Sequence, residues 1–225
     1  MVSRRNTGSL SEPAVQRLSL YLRCCEELDD DDERQISSRR LAEMLNLQAS
    51  QVRKDLSHLD AVVGIPGVGY DIRKLREALT CELGLDFERE VVIAGAGNLG
   101  LALANYEGFS RRGFRIVALI DASPAKVGTL TATGVPVIPC SELPVLARSR
   151  RLAIGIIAVP ADAAQDVLDA FVDAEIRSIL NFAPVVLDAP PGVIVKSVDL
   201  RASLETLTWF LGHGFEIESG GMPAD

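Results

Sequence analysis

Residues 91–100 read Val-Val-Ile-Ala-Gly-Ala-Gly-Asn-Leu-Gly, and Asp121 follows a second apolar run, Arg115-Ile-Val-Ala-Leu-Ile. The pattern is a buried strand running into Gly95-x-Gly97-x-x-Gly100, with Leu99 to Arg111 expected to be helical. Gly95 allows the tight turn, Gly97 the close approach of backbone to a pyrophosphate, and Gly100 tight packing of helix on strand. The turn and helix start, Ala96, Asn98 and Leu99 included, bring N–H groups and partial positive charge toward phosphates. Asp121 lies about 20 residues downstream, where a carboxylate accepts hydrogen bonds from an adenosine ribose. It would repel a 2′-phosphate, which favours NADH and NAD+ over the phosphorylated cofactors. A glycine-rich turn with no ligand is the plainer alternative.

Composition sets the frame for this motif. The 225 residues suffice for two small domains or one large one. The chain is 48% hydrophobic, yet charge or glycine breaks its apolar runs well before the ~20 residues a membrane span needs. No apolar stretch follows the basic residues of Met1-Val-Ser-Arg-Arg, so neither membrane nor secretory signal is expected and the cytoplasm is the natural compartment. Cys24, Cys25, Cys81 and Cys140 lack metal-ligand spacing, so no metal and no disulfide is expected.

The net charge of −8 argues at first against a nucleic-acid partner. Residues 1–80, however, hold 12 Lys and Arg against 13 Asp and Glu, so the acidic excess lies mostly later. Asp29 to Glu33 alone carries much of the early negative charge, in what reads as a loop, leaving neighbouring helices free to be locally basic.

That early segment reads as helices and a hairpin. Ser11-Glu-Pro13 starts a helix in which Val15, Leu18, Leu22 and Cys25 recur at helical spacing. Ser37 or Ser38 caps a short second helix with Leu41, Met44 and Leu45 facing inward. A third begins near Ala49 and buries Val52, Leu56 and Leu59, while Ser50, Gln51, Arg53, Lys54, Ser57 and His58 occupy its outer face. Val62 to Tyr70, two apolar flanks around a Gly/Pro tip, suggests a β-hairpin wing, and Asp71 caps a fourth helix through Leu83. Helix-turn-helix plus wing is a winged-helix pattern, whose usual work is reading duplex DNA. Arg53 and Lys54 then suit phosphates and guanine edges, and Ser50 and Gln51 base edges or backbone. A protein-interaction domain with a solvated face is the competing reading.

Beyond Asp121 strands and helices alternate: Val135 to Ile138, Ser141 to Ala147, a fully buried Leu152 to Val159, a helix from Pro160 through Val172, Ile176 to Phe182, and an edge strand from Val193 to Val198. This implies an α/β, Rossmann-type doubly wound parallel sheet after the winged helix. Val159, Pro160, Asn181, Phe182, Ala183 and Pro184, at strand exits, are expected near the nicotinamide end. Asp199 to Leu211 is a final helix whose apolar surface is too broad to face solvent, so it should pack on something, such as a second subunit. The expected boundaries are a DNA-binding domain at 1–85, a nucleotide domain at 86–198, a dimer helix at 199–213 and a disordered tail at 214–225.

From about Pro13 to Gly212 the chain resembles the Rex family of redox-sensing transcriptional repressors. The resemblance rests on Arg17-Leu-Ser-Leu-Tyr-Leu-Arg23, Gln51-Val-Arg-Lys-Asp-Leu56, Gly67-Val-Gly-Tyr70, Gly95 to Gly100, Asn105-Tyr-Glu-Gly-Phe109, Asn181-Phe-Ala-Pro184 and Ser197-Val-Asp199. It implies a homodimer that exchanges its C-terminal helix, with NADH and NAD+ competing for one site and NADH releasing operator DNA. It further implies a switch made of Arg23 from one subunit, Tyr106 and Asp199. The chain departs from the family after the third helix. The family commonly has aromatic-glycine there and a basic wing tip; here the residues are Ser57-His-Leu-Asp60 and Gly64-Ile-Pro-Gly67. That departure points to weaker DNA binding or an altered sequence preference.

Two other functions compete. An NAD-dependent dehydrogenase needs a proton donor or acceptor beside the hydride path. His58 falls on the recognition helix, His213 near the C-terminus and Lys126 on the adenosine side, which leaves Tyr106 alone; no catalytic residue is expected. The third reading is a nucleotide-binding interaction module without operator binding.

Overall fold

The computed structural model describes residues 10–30, 33–59 and 61–213. Two compact units divide the chain, residues 1–87 and 88–225.

The first unit holds α1 (Glu12–Asp30), β1 (Gln35–Ile36), α2 (Ser38–Met44), α3 (Ala49–Leu56), β2 (Tyr70–Asp71) and α4 (Ile72–Glu82). Leu18, Leu22 and Cys25 of α1 meet Leu41, Val52, Leu56, Ile72, Leu75 and Leu79 in one core. Each such burial contributes about 1.5–3 kcal/mol over exposure. Two expected core residues are on the surface instead. Val15 is 40% exposed because the packed stripe runs through Ala14, Leu18 and Leu22, and Val15 lies about 100° round the helix from Ala14. Met44 is 41% exposed; Leu45 and Leu47 cover the core in its place as the chain turns toward α3. Ser37 caps α2 by accepting from the Arg40 N–H at 3.1 Å, and Asp71 caps α4 through the Lys74 N–H at 3.0 Å. The wing is slighter than a hairpin. A single bridge joins Ile65 to Gly69, since Pro66 has no N–H and the glycines favour a turn over a ladder. Tyr70 and Asp71 pair with Ile36 and Gln35, a strand the periodicity did not reveal. Asp60 lies outside the described residues.

The second unit is a six-stranded parallel sheet in the order β5-β4-β3-β6-β7-β8. Its strands are β3 (Arg89–Ala94), β4 (Phe114–Asp121), β5 (Val137–Pro139), β6 (Leu152–Ile157), β7 (Ser178–Asn181) and β8 (Ile194–Ser197). The order reverses between β3 and β6, the crevice where open α/β sheets receive ligands. Alternation along β3 fills two cores: Val92 and Ala94 with Ile157 and Phe171, Val91 and Ile93 with Leu119 and Ile156. Burial of β6 is full only over its second half, Gly155 to Ile157. α7 (Leu143–Ser149) and α8 (Ala164–Asp173) complete the alternation.

The helix expected over Leu99 to Arg111 is broken into α5 (Asn98–Ala104) and α6 (Glu107–Ser110). The Asn105 side-chain amide donates to the Leu101 carbonyl at 2.8 Å, competing with the backbone ladder. Tyr106 becomes the N-cap of α6. α9 (Leu200–Gly212) ends the described chain with Leu204, Leu207, Trp209 and Leu211 all more than half exposed. The expected tail, 214–225, lies outside the described residues.

Candidate functional site

At the end of β3 the chain reverses through Gly95, whose φ of +100° suits glycine and whose Cβ would stand 2.4 Å from the Ala158 carbonyl oxygen. A Cβ on Gly100 would be 1.8 Å from the Gly95 oxygen, so α5 packs on the strand only with hydrogen there. A Cβ at Gly97, the N-cap of α5, would meet nothing within 4 Å. Space therefore lies in front of the first N–H groups of the helix, which have no intrahelical acceptor.

Asp121 sits against this turn. Its Oδ2 accepts from the Ala96 N–H at 2.7 Å and from Lys126 Nζ at 3.1 Å, and its Oδ1 from the Ser123 N–H at 2.8 Å. Burial pushes the carboxyl up, but these donors outweigh it and hold Asp121 below the ordinary carboxylate range. Three bonds occupy three of about four lone-pair positions, leaving one on Oδ1. The Ala96 N–H is committed to Asp121, so Gly97, Asn98 and Leu99 remain as donors. Sequence reasoning missed Lys126 as the partner of Asp121, although its position five residues on was the available signal.

β6 exits beside β3, and β7 beside β6. Val159 is half-buried and Pro160 exposed after β6. Asn181 is fully buried and turns inward: its Nδ2 donates to the carbonyls of Ala183 and Val185, both at 3.1 Å, while Oδ1 accepts from the Ala183 N–H at 2.9 Å. The Asn181 side chain thus shapes the Phe182-Ala183-Pro184 turn. Tyr106 is 60% exposed and stands edge-on to Phe109 at 5.2 Å. Asp199 caps α9 through the Ala202 N–H at 2.9 Å. No hydrogen bond among the described residues joins Tyr106 to Asp199, and Arg23 lies exposed on α1 of the first unit.

On α3, Ser50, Arg53 and Lys54 are exposed; Ser57 and His58, expected on the same helix, are exposed in the turn just beyond it, because α3 ends at Leu56 with Ser57 as its C-cap. Arg53 Nη1 donates to Ser38 Oγ at 3.2 Å, tying α3 to α2. Ser57 Oγ, at 2.7 Å, and His58 Nδ1, at 2.9 Å, fold back on the Lys54 carbonyl. Gln51 faces elsewhere: its Nε2 donates to Asp55 Oδ1 at 2.8 Å. Asp55, 2% exposed, also takes a forked pair from Arg17 at 2.6 and 2.8 Å and the Tyr21 hydroxyl at 2.8 Å. Burial pushes its carboxyl up, and these donors more than offset that, so it too lies below the ordinary range. The same burial, with Asp55 beside it, drives the Tyr21 phenol well upward.

Among the described residues no three His, Cys, Asp or Glu side chains could hold a metal ion, and no helix is long and apolar enough to cross a membrane. The four cysteines are free thiols.

Fold and site together define a winged-helix regulator type of chain, with a Rossmann-type unit following the helix-turn-helix in sequence. A family model described as "CoA binding domain" matches residues 86–185, and one described as "Putative DNA-binding protein N-terminus" matches residues 9–57. The redox-sensing transcriptional repressor Rex of Streptomyces avermitilis is 46% identical over 89% of this chain and 79% of its own length. That of Desulfitobacterium hafniense is 42% identical over 92% and 97%. Among solved structures, RSP, a Rex-family repressor, is 36% identical with a TM-score of 0.81, over 91% of this chain and 95% of its own. RSP in complex with NAD+ and operator DNA gives 0.86, over 91% and 94%. RSP in complex with NADH gives 0.80, over 91% and 95%. The chain belongs to the Rex family of redox-sensing transcriptional repressors.

Proposed function

We propose that this protein is a repressor that binds operator DNA through residues 1–85, senses NADH against NAD+ through residues 86–198, and leaves DNA when NADH is bound. The observation that carries this is the likeness, over 91% of the chain, to RSP in complex with NAD+ and operator DNA. A protein working on chromosomal operators would reside in the cytoplasm.

Gly97, Asn98 and Leu99 would hold the pyrophosphate at the head of α5, and the free lone pair of Asp121 would accept from the adenosine ribose. The open space before Gly97 and the half-buried, ionised carboxylate both fit a dinucleotide. An acid there also disfavours coenzyme A, whose ribose carries a phosphate. Val159, Pro160, Phe182, Ala183 and Pro184 would border the nicotinamide, with Asn181 holding their turn in shape. Oxidised nicotinamide is planar and cationic, reduced nicotinamide neutral, and this difference is the signal the protein would read. Any response must then originate near those strand exits, because a ligand shifts an equilibrium only by its differential affinity for two states.

The exposed leucines and Trp209 of α9 would be covered by a second copy of the chain, exchanging the helix at 199–213. In that homodimer Asp199 would pair with Arg23 of one subunit in the operator-binding arrangement, and Tyr106 would rearrange in the NADH state. Three of the side chains weighed for acid–base work are engaged among the described residues. Lys126 is paired with Asp121, His58 is bound back on α3, and His213 stacks on Trp209 at 4.4 Å. A non-catalytic sensor is the reading these side chains support. Electrophoretic mobility of a palindromic operator with the full chain, with NAD+ or NADH, tests the proposal. NADH should release the DNA; an unchanged shift with both nucleotides contradicts it.

A further inference from the structure

α2, α3 and the wing enclose a cleft of about 850 Å3. Arg39 and Arg53 line one wall, with the Ser37 and Ser38 hydroxyls beside them, and Ile65 and Val68 line the wing. Among the described residues no carboxylate borders it, in a chain whose net charge is −8. The adjacent cations differ in their pairing. Arg40 forms a forked ion pair with Glu33. Arg39 is exposed, and among the described residues no ion pair engages it. Arg53 is held toward the same cleft by its bond to Ser38, and Tyr70 lines the cleft with it. The opposite wall carries no cation: Ile65 and Val68 are 55% and 44% exposed, on a turn fixed by the Ile65 and Gly69 backbone bonds at 2.8 and 2.9 Å.

We propose that this cleft is a divided duplex-DNA contact. Arg39 joins Arg53 in gripping backbone phosphate, while the wing approaches sugar and base edges through Ile65 and Val68. Guanidinium groups suit phosphate, and exposed aliphatic side chains suit the apolar face of a groove. Arg39 is a phosphate contact outside the recognition helix, and it supplies from α2 the charge that the wing lacks. The inference rests on the operator-binding reading and assigns which residues carry it.

The test measures binding of the full chain with NAD+ to operator and to unrelated duplex across a salt series. Arg39→Ala should weaken both DNAs alike and flatten the plot of log affinity against log salt by about 0.9 units, the value for one phosphate contact. Lys74→Ala, in a separate mixed-charge cavity on α4, should leave the slope unchanged. Ile65→Ser should weaken operator binding by about fivefold with the salt slope unaltered, as loss of an apolar contact requires. An unchanged slope in Arg39→Ala, beside a reduced one in Arg53→Ala, overturns the inference and leaves operator binding standing. A slope change in Ile65→Ser overturns the division of the cleft. If the parent chain binds neither DNA at any salt, the operator-binding reading itself fails.

Discussion

Among the described residues each unit holds one carboxylate below its ordinary range, and the two are saturated to different degrees. Asp55 receives four hydrogen bonds, all from side chains: Arg17 twice, Tyr21 and Gln51. Every lone-pair position is taken, which leaves nothing for a ligand. Those bonds join α1 to α3 and set the helix that carries Arg53 and Lys54. Asp121 receives three, two of them from backbone, and keeps one position open beside a glycine turn. A saturated carboxylate fixes structure; one kept partly open and ionised is prepared for a donor that arrives with a ligand.

The largest effect should come from Asp55→Ala. Removing it strands the Arg17 guanidinium and the buried Tyr21 hydroxyl, at a cost of about 3 kcal/mol to the first unit. Denaturant unfolding should show this loss, with NADH affinity little changed; a cost below about 1 kcal/mol would make the network ornamental. The pH dependence has a definite sign. The folded-state carboxyl of Asp55 lies below the unfolded value of about 3.9, so its contribution is complete above that pH and disappears as pH falls through the lower folded value. Asp55→Asn should therefore flatten the acid limb of the stability curve, and an acid limb identical to the parent's would count against the assignment.

At Asp121 the expected order is reversed, with a small stability effect and a larger ligand effect. Asp121→Ala should weaken NADH by about tenfold, the loss of a charge-assisted hydrogen bond, and narrow the preference for NADH over NADPH. Lys126→Ala should do least. Nζ is half-exposed and partly neutralises the acid that faces the ribose, so its removal should widen the preference against NADPH by about two- to fivefold. Titration of both nucleotides against the three proteins checks these ratios, and equal NADH and NADPH affinities in the parent would sink the ribose assignment.

The contrast between these acids also explains what the sequence could reveal. The glycine turn and Asp121 were legible because their partners lie on one βαβ unit, where spacing alone implies proximity. The parallel sheet followed from the same alternation. Asp55 was not legible: Tyr21 and Arg17 stand 34 and 38 residues away on α1, a distance that only packing closes. A charge between Val52 and Leu56, on an otherwise apolar stripe, was the one hint. Gln51 and Asn181 have the residue types of ligand contacts, yet their amides are committed to Asp55 and to a turn. The break at Asn105 escaped for a similar reason, since helical spacing does not register a side chain competing for a carbonyl. Val15 and Met44 show that apolar periodicity marks a face more broadly than packing uses it.

The central claim is that one chain couples a nucleotide at the Gly95 turn to DNA at α3, and coupling must be reciprocal. The most direct measurement is the NADH affinity of the full protein with and without saturating palindromic operator, set beside operator affinity with and without saturating NADH. The account predicts that operator weakens NADH by the same factor as NADH weakens operator. NADH bound equally well in the presence and absence of operator would contradict it.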